Sequence, residues 1–332
     1  MRKTCLVLIS LVAILLFGAC SGAAENAHEH SYVYVRTVVE KRETPVTVEG
    51  FFVHEDRIFY YYTVQKFPWE VGASDPLQAE VFIVSILPDG TDRQEVLVSI
   101  EQFIHAIHGM RVTEAGNFAM VLGFFDYNGA GEWVSAYAEF DFLGNMIVFE
   151  EIKGVIPENA ERISVLDGLF TAEGEIVLYV PASMDTLSNV VHIDNRQNII
   201  GRVQTYSTHG LVQARDGRIF AHDWGSLRLR EMDFLRETTG APISLSVSAI
   251  HQVVTPGAES TFCLYVNDGA HLLGYCLDTH TATPILNWAE VGLEQHLLYI
   301  DFLTHGQISI LAIESGRWTE HTLLLFTPVV QT

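Results

Sequence analysis

The 332-residue sequence is short of positive charge: 19 lysines and arginines face 41 aspartates and glutamates. A surface with that balance repels phosphate backbones and anionic lipid headgroups, which argues against nucleic acid as a partner. Helical pattern is scarce as well, since no helical stretch of convincing length follows residue 20. Catalytic signatures are missing too. There is no Gly-x-Ser-x-Gly elbow, no phosphate-binding glycine loop, no EF-hand loop and no Cys-x-x-Cys zinc pair. Serines, histidines and aspartates occur without a spacing that ties them together, and no cofactor is expected. What remains is a chain that is 48% hydrophobic and 11% aromatic, the composition of a packed globular body.

The one long apolar run lies at the start. Arg2 and Lys3 precede an uncharged stretch from Cys5 to Phe17, followed by Gly18-Ala19-Cys20. A membrane-spanning helix needs about 20 apolar residues. This run is shorter and fits the apolar region of a signal peptide, about 7–15 residues long. Leu16-Phe17-Gly18-Ala19-Cys20 resembles a bacterial lipobox, with Phe17 where leucine is usual. The resemblance implies cleavage after residue 19 and lipidation of Cys20, with the rest of the chain on the extracellular face of the cell membrane. An ordinary secretory cleavage is the alternative. Residues 20–31 then read as a flexible tether, too poor in apolar groups to join a core.

Residues 32–332 alternate short aromatic and β-branched runs with turn dipeptides: Asp89-Gly90, Asn128-Gly129, Asp167-Gly168, Glu173-Gly174, Asp216-Gly217 and Asp268-Gly269. Many short strands with regular turn signals indicate an all-β sandwich, barrel or propeller, and the period chooses among them. A four-strand unit repeats over 50–100, 109–152, 169–206, 211–247 and 249–288, with three strands over 298–326. In these units Gly109–Thr113, Leu169–Ala172 and Ile243–Val247 read as strands. The last unit lacks one strand, and Tyr32–Val39 is a spare. A propeller whose N-terminal strand completes the last blade removes two open edges at once. The expected fold is therefore a six-bladed β-propeller, with seven blades as the alternative because 65–78 has room for an edge strand.

In the fifth unit, Leu272-Leu273-Gly274-Tyr275-Cys276-Leu277-Asp278-Thr279 and then Pro284-Ile285-Leu286-Asn287-Trp288 resemble a phrase of clostridial-type Gram-positive lipoproteins. Those proteins follow a lipobox with an N-terminal β-propeller and then with the extracellular solute-binding domain of an ABC importer. Cys276 stands where a polar residue is usual, and His280 where glycine is. The sequence ends at Thr332, before such a domain, so a longer chain or a stand-alone propeller are both open, and no transport-ligand site carries over.

Two cysteines remain for the folded body, Cys263 and Cys276, flanking Asn267-Asp268-Gly269. A loop centred on Gly269-Ala270 sets them directly opposite on paired strands. One centred on Asp268-Gly269 sets them diagonally, still on one face. A disulfide is one expectation, and two small side chains within a sheet the other. Of the fourteen histidines, His28 and His30 sit with Glu25 and Glu29 in the tether, where metal capture would be loose. His105 and His108 read as a helix-like turn between blades. His222-Asp223-Trp224 ends a strand read as inner, and His251 and His305 fall near comparable strands. At a channel rim these five would contact a ligand; rim histidines satisfied by backbone are the alternative, and no metal site is expected. Trp69, Trp133, Trp224, Trp288 and Trp318 offer stacking faces for sugar, or packing between blades. The expected function is a monomeric, non-catalytic binding module at the cell surface, allied to ABC-type solute uptake or holding a carbohydrate. The alternatives are a polysaccharide hydrolase or lyase and a structural spacer.

Overall fold

The computed structural model describes residues 33–43, 47–65, 79–98, 100, 104–125, 133–155, 165, 167–181, 188–205, 208–223, 226–257, 259–314 and 320–329. Cys20, the tether with its histidines, and Trp69, Trp224 and Trp318 lie outside them, as do Asn128-Gly129 and residues 66–78.

Strand β1 (Val33–Glu43) opens the chain. Blade 1 follows with β2 (Thr47–His54), β3 (Arg57–Gln65), β4 (Ala79–Ile86) and β5 (Gln94–Val98). Blade 2 is β6 (Ile104–Val112), β7 (Phe118–Phe125), β8 (Trp133–Phe140) and β9 (Met146–Glu151). Blade 3 is β10 (Asp167–Phe170), β11 (Ile176–Val180), β12 (Ser188–Ile193) and β13 (Ile199–Thr205). Blade 4 is β14 (Thr208–Gln213), β15 (Ile219–Asp223) and β16 (Arg228–Asp233), with an outer edge divided between β17 (Thr238–Thr239) and β18 (Ile243–Ser244). Blade 5 is β19 (Gln252–Val254), β20 (Leu264–Asn267), β21 (His271–Cys276) and β22 (Thr281–Asn287). Blade 6 is β23 (His296–Phe302), β24 (Ile308–Glu314) and β25 (Glu320–Val329), and β1 adds to β25 as its outer strand. The protein is thus an all-β propeller of six blades closed by its N-terminal strand. Residues 36–327 form one compact unit. Among the described residues no helix is long and apolar enough to cross a membrane.

The second strand of a blade is sandwiched between its two neighbouring blades, so both of its faces are apolar. In β3, Ile58, Tyr60 and Tyr62 pack with Leu311 and Leu323 of blade 6, whereas Phe59 and Tyr61 pack with Met120 and Leu122 of blade 2. In β11, Leu178 joins Val121 of blade 2 and Tyr179 joins Ala221 of blade 4. The period-2 alternation of side chains therefore assigns each residue to one of two inter-blade cores, and the sequence reads as a continuous apolar run. Each fully buried large side chain stabilises by about 1.5–3 kcal/mol.

Closure is also polar. Tyr60 and Tyr62 donate their phenols to Glu40 (2.8 Å) and Glu95 (2.7 Å). Arg93 bridges Glu40 (2.7 Å) and Glu95 (2.5 Å), while Arg42 reaches Glu95 at 3.0 Å. Glu40 and Arg42 lie on β1 and Arg93 and Glu95 at β5, so this network ties the N-terminal strand to blade 1.

Three local expectations need correction. Asp167-Gly168 is not a turn but the start of β10, the inner strand of blade 3. β6 begins at Ile104, so His105 and His108 lie on a strand rather than on a helix-like turn. The outer edge of blade 4 is broken by Gly240-Ala241-Pro242, so Ile243–Val247 pairs only over its first two residues.

Candidate functional site: the central cavity

The first strand of each blade lies innermost, and together these strands enclose a cavity of about 1190 Å³ to which all six blades contribute. The turns joining the first strand of a blade to its second (A–B turns), such as His54–Arg57 and Thr171–Glu175, mark one rim.

Inside, two aspartates play the same part at different levels, Asp301 two residues before the turn of blade 6 and Asp167 four before that of blade 3. Asp301 on β23 accepts the Val53 N–H of blade 1 at 2.7 Å, and Asp167 on β10 accepts the Leu211 N–H of blade 4 at 2.8 Å. Each clasps the inner strand of the next blade. Burial pushes each carboxyl up from its ordinary 3.8 to about 6. The backbone N–H groups of Leu211 and Gly168, and of Phe302 and Val53, oppose that shift without cancelling it. Two phenols join them. Tyr299 donates to Val48 O at 3.2 Å, and Tyr61 lies against Gly50, where a side chain would have no room. Burial raises the Tyr61 phenol, and the nearby Glu49, Tyr299 and Asp167 raise it further. Glu49 accepts the Thr63 hydroxyl at 3.0 Å. Away from the turns, Glu49, Tyr61, Asp167 and Tyr299 thus form a cluster of phenols and carboxylates, while Asp301 lies closer to the turns beside Val53.

Nearer the turns the lining carries His54, Glu55, Arg57, Arg111, Glu114 and Glu173. Both arginines are engaged: Arg57 pairs with Asp92 at 2.7 Å, and Arg111 lies over the Phe170 ring at 5.2 Å. Acid therefore dominates the cavity.

Of the five residues read from sequence as rim contacts, the four that are described are not gathered there. His222 and Asp223 end β15, a second strand rather than an inner one. The His222 ring pairs with Ser226 O at 2.9 Å, and Asp223 holds Arg230 through both carboxylate oxygens (3.0 and 2.9 Å). His251 is exposed beside the Gly269 turn of blade 5, and His305 is exposed on the A–B turn of blade 6, its N–H on Glu259 at 3.0 Å. None of these four lines the cavity, whereas His108 does. Trp288 is buried and donates to Asn267 at 3.0 Å, which makes it packing rather than a sugar platform.

Cys263 and Cys276 are free thiols. Leu264 pairs with Tyr275 and Asn267 with Leu272, so the hairpin centres on Gly269-Ala270, and the two cysteines follow its last pair with their sulfurs within 4.8 Å.

Sequence reasoning missed Asp167 and Asp301. The available signal was a lone acid within an apolar run, Leu298-Tyr299-Ile300-Asp301-Phe302.

No family model and no curated protein matches the chain. Solved structures do. Regucalcin from Agrobacterium tumefaciens, described as a calcium-binding protein, is similar over 90% of this chain and 96% of its own, at 11% identity and a TM-score of 0.52. A putative gluconolactonase is similar over 90% and 93%, at 11% identity and 0.50. Trypanosoma rangeli sialidase is similar over 88% of this chain and 59% of its own, at 9% identity and 0.51. At these identities the likeness shows the propeller fold alone.

Proposed function

We propose that this propeller is a lipid-anchored, extracellular binding module that holds a small, hydroxyl-rich neutral solute in its central cavity, in the service of an ABC-type importer. The observation that carries the ligand class is the mixed lining of the cavity, in which phenols and carboxylates alternate. Tyr61 and Tyr299 bring phenol hydroxyls, and Glu49, Asp167 and Asp301 bring carboxylate acceptors. Sugar hydroxyls both donate and accept, so such a lining can satisfy several at once, while anions meet a surplus of acid. The anchoring and the link to transport rest on the lipobox around Cys20 and on the likeness of the fifth unit to clostridial-type lipoproteins.

Calorimetry against neutral mono- and disaccharides, with sugar acids as controls, tests the ligand. A neutral sugar is expected to bind and the Tyr299→Phe variant to bind it more weakly. Sugar acids binding as well, or no neutral sugar binding at millimolar concentration, overturns the reading. For the anchor, Cys20→Ser should move the protein from the membrane fraction to the medium. Recovery of no permease component from labelled membranes refutes the transport link.

A second reading, an extracellular hydrolase or lyase, is favoured by the two cavity carboxyls pushed up to about 6, since shifted acids mark sites of proton transfer. The fold hosts many functions and does not choose. Turnover of a polysaccharide or lactone that is lost in Asp301→Asn would favour it; ligand returned unchanged favours binding.

A further inference from the structure

We propose that Cys263, Cys276 and Asp278 form a binding site for a thiophilic divalent cation of the zinc type. The two sulfurs and a carboxylate oxygen of Asp278 all lie within 4.8 Å of one another. A tetrahedral ion with bonds of about 2.0–2.3 Å needs its ligand atoms about 3.5–3.8 Å apart. The three groups therefore have to close by an ångström or so, which is a side-chain adjustment.

Local backbone explains the arrangement. Leu264 pairs with Tyr275, but the Cys263 N–H also goes to Tyr275 O at 2.9 Å, so the ladder slips by one residue at Cys263. The strand β21 ends at Cys276, and the turn that follows carries Asp278 back toward both sulfurs. The Leu277 N–H donates to Cys263 Sγ at 3.3 Å, and the Thr279 hydroxyl and N–H address Cys276. Both cysteines are half-buried and Asp278 is exposed, leaving one side open for a fourth ligand from solvent. Sulfur ligands select soft or borderline ions over calcium or magnesium. Binding is balanced by release of the two thiol protons to solvent as both metal–sulfur bonds form.

The site lies at the ends of the second and third strands of blade 5, apart from the cavity lining, and is independent of what the central cavity holds. The test uses the full chain, reduced and desalted, with Cys5 and Cys20 present in every variant so that only differences count. Titration with Cd²⁺ should give one equivalent of sulfur-to-metal near-ultraviolet absorption that Cys276→Ser abolishes, and Zn²⁺ should displace it. Asp278→Asn, an exposed change that spares the fold, should weaken Cd²⁺ by about tenfold or more, whereas His305→Gln should change nothing. An equal signal in Cys276→Ser, or an unaltered affinity in Asp278→Asn, overturns the three-ligand site. So does a Cys263–Cys276 disulfide that native-state reduction does not open.

Discussion

Replacing Asp301 by asparagine probes the clasp between blades 6 and 1 at its chemical centre. The carboxylate accepts two N–H groups, Val53 at 2.7 Å and Phe302 at 2.8 Å. Asparagine has one oxygen, so one N–H loses its acceptor at every pH, a cost of about 1–3 kcal/mol. Against that stands the charge. Burial lifts the Asp301 carboxyl from 3.8 to about 6 in the folded protein. Between those values the folded state binds more protons than the unfolded chain, so native stability falls as pH rises through the window. The full loss is about 3 kcal/mol above pH 6, a ceiling because the side chain keeps some contact with the cavity. Asp301→Asn escapes it. The variant should therefore be less stable than the parent near pH 4 and should recover relative to it, up to parity or beyond, by pH 8. Urea unfolding of both proteins at several pH values from 4 to 8 measures the difference directly, and Asp167→Asn should behave alike. An offset that stays constant across the range refutes the assignment of a buried, raised carboxyl.

Two further outcomes follow from the blade contacts. Gly144 has φ near +87°, and a Cβ there would overlap the backbone carbonyl of Leu97 in blade 1. Gly217 has a similar φ of +85° with nothing near. Gly144→Ala should thus destabilise well beyond the ~1–2 kcal/mol of left-handed strain that Gly217→Ala alone incurs; equal unfolding midpoints would sink the contact. At the closing seam, burial works to raise Glu95, yet Arg93, Tyr62 and Arg42 outweigh it and hold the carboxyl down at about 2, below its ordinary 4.5. A depressed carboxyl stabilises above its unfolded value and loses that contribution as pH falls through its folded one. Glu95→Gln should accordingly lower the melting temperature at pH 6, with the deficit shrinking toward pH 2 and in high salt. A deficit indifferent to both would mean that the ion pairs contribute nothing.

Much of the architecture was legible because its signals are local. Asp89-Gly90, Glu173-Gly174, Asp216-Gly217 and Asp268-Gly269 form the turns their dipeptides predict, and all four glycines have positive φ, from +82° to +87°. The missing strand of the last unit and the spare one before the first announced closure by β1. That Cys263 and Cys276 fall close together followed from counting outward from a hairpin. Asp167-Gly168 misled because the same dipeptide suits a turn and the start of a strand clasped to its neighbour. His222 and Asp223 misled for a related reason: β15 is a second strand, and nothing in Ile219–Asp223 says how many strands separate it from the axis.

By itself, then, the sequence determined the strands, the turns and the need to close a ring. Those depend on side-chain alternation and on backbone preferences within a few residues. Which carboxylates line the central cavity was decided only by tertiary structure. Asp167 and Asp301 are 134 positions apart in the chain, and each acquires its partner and its raised proton affinity from the blade packed beside it.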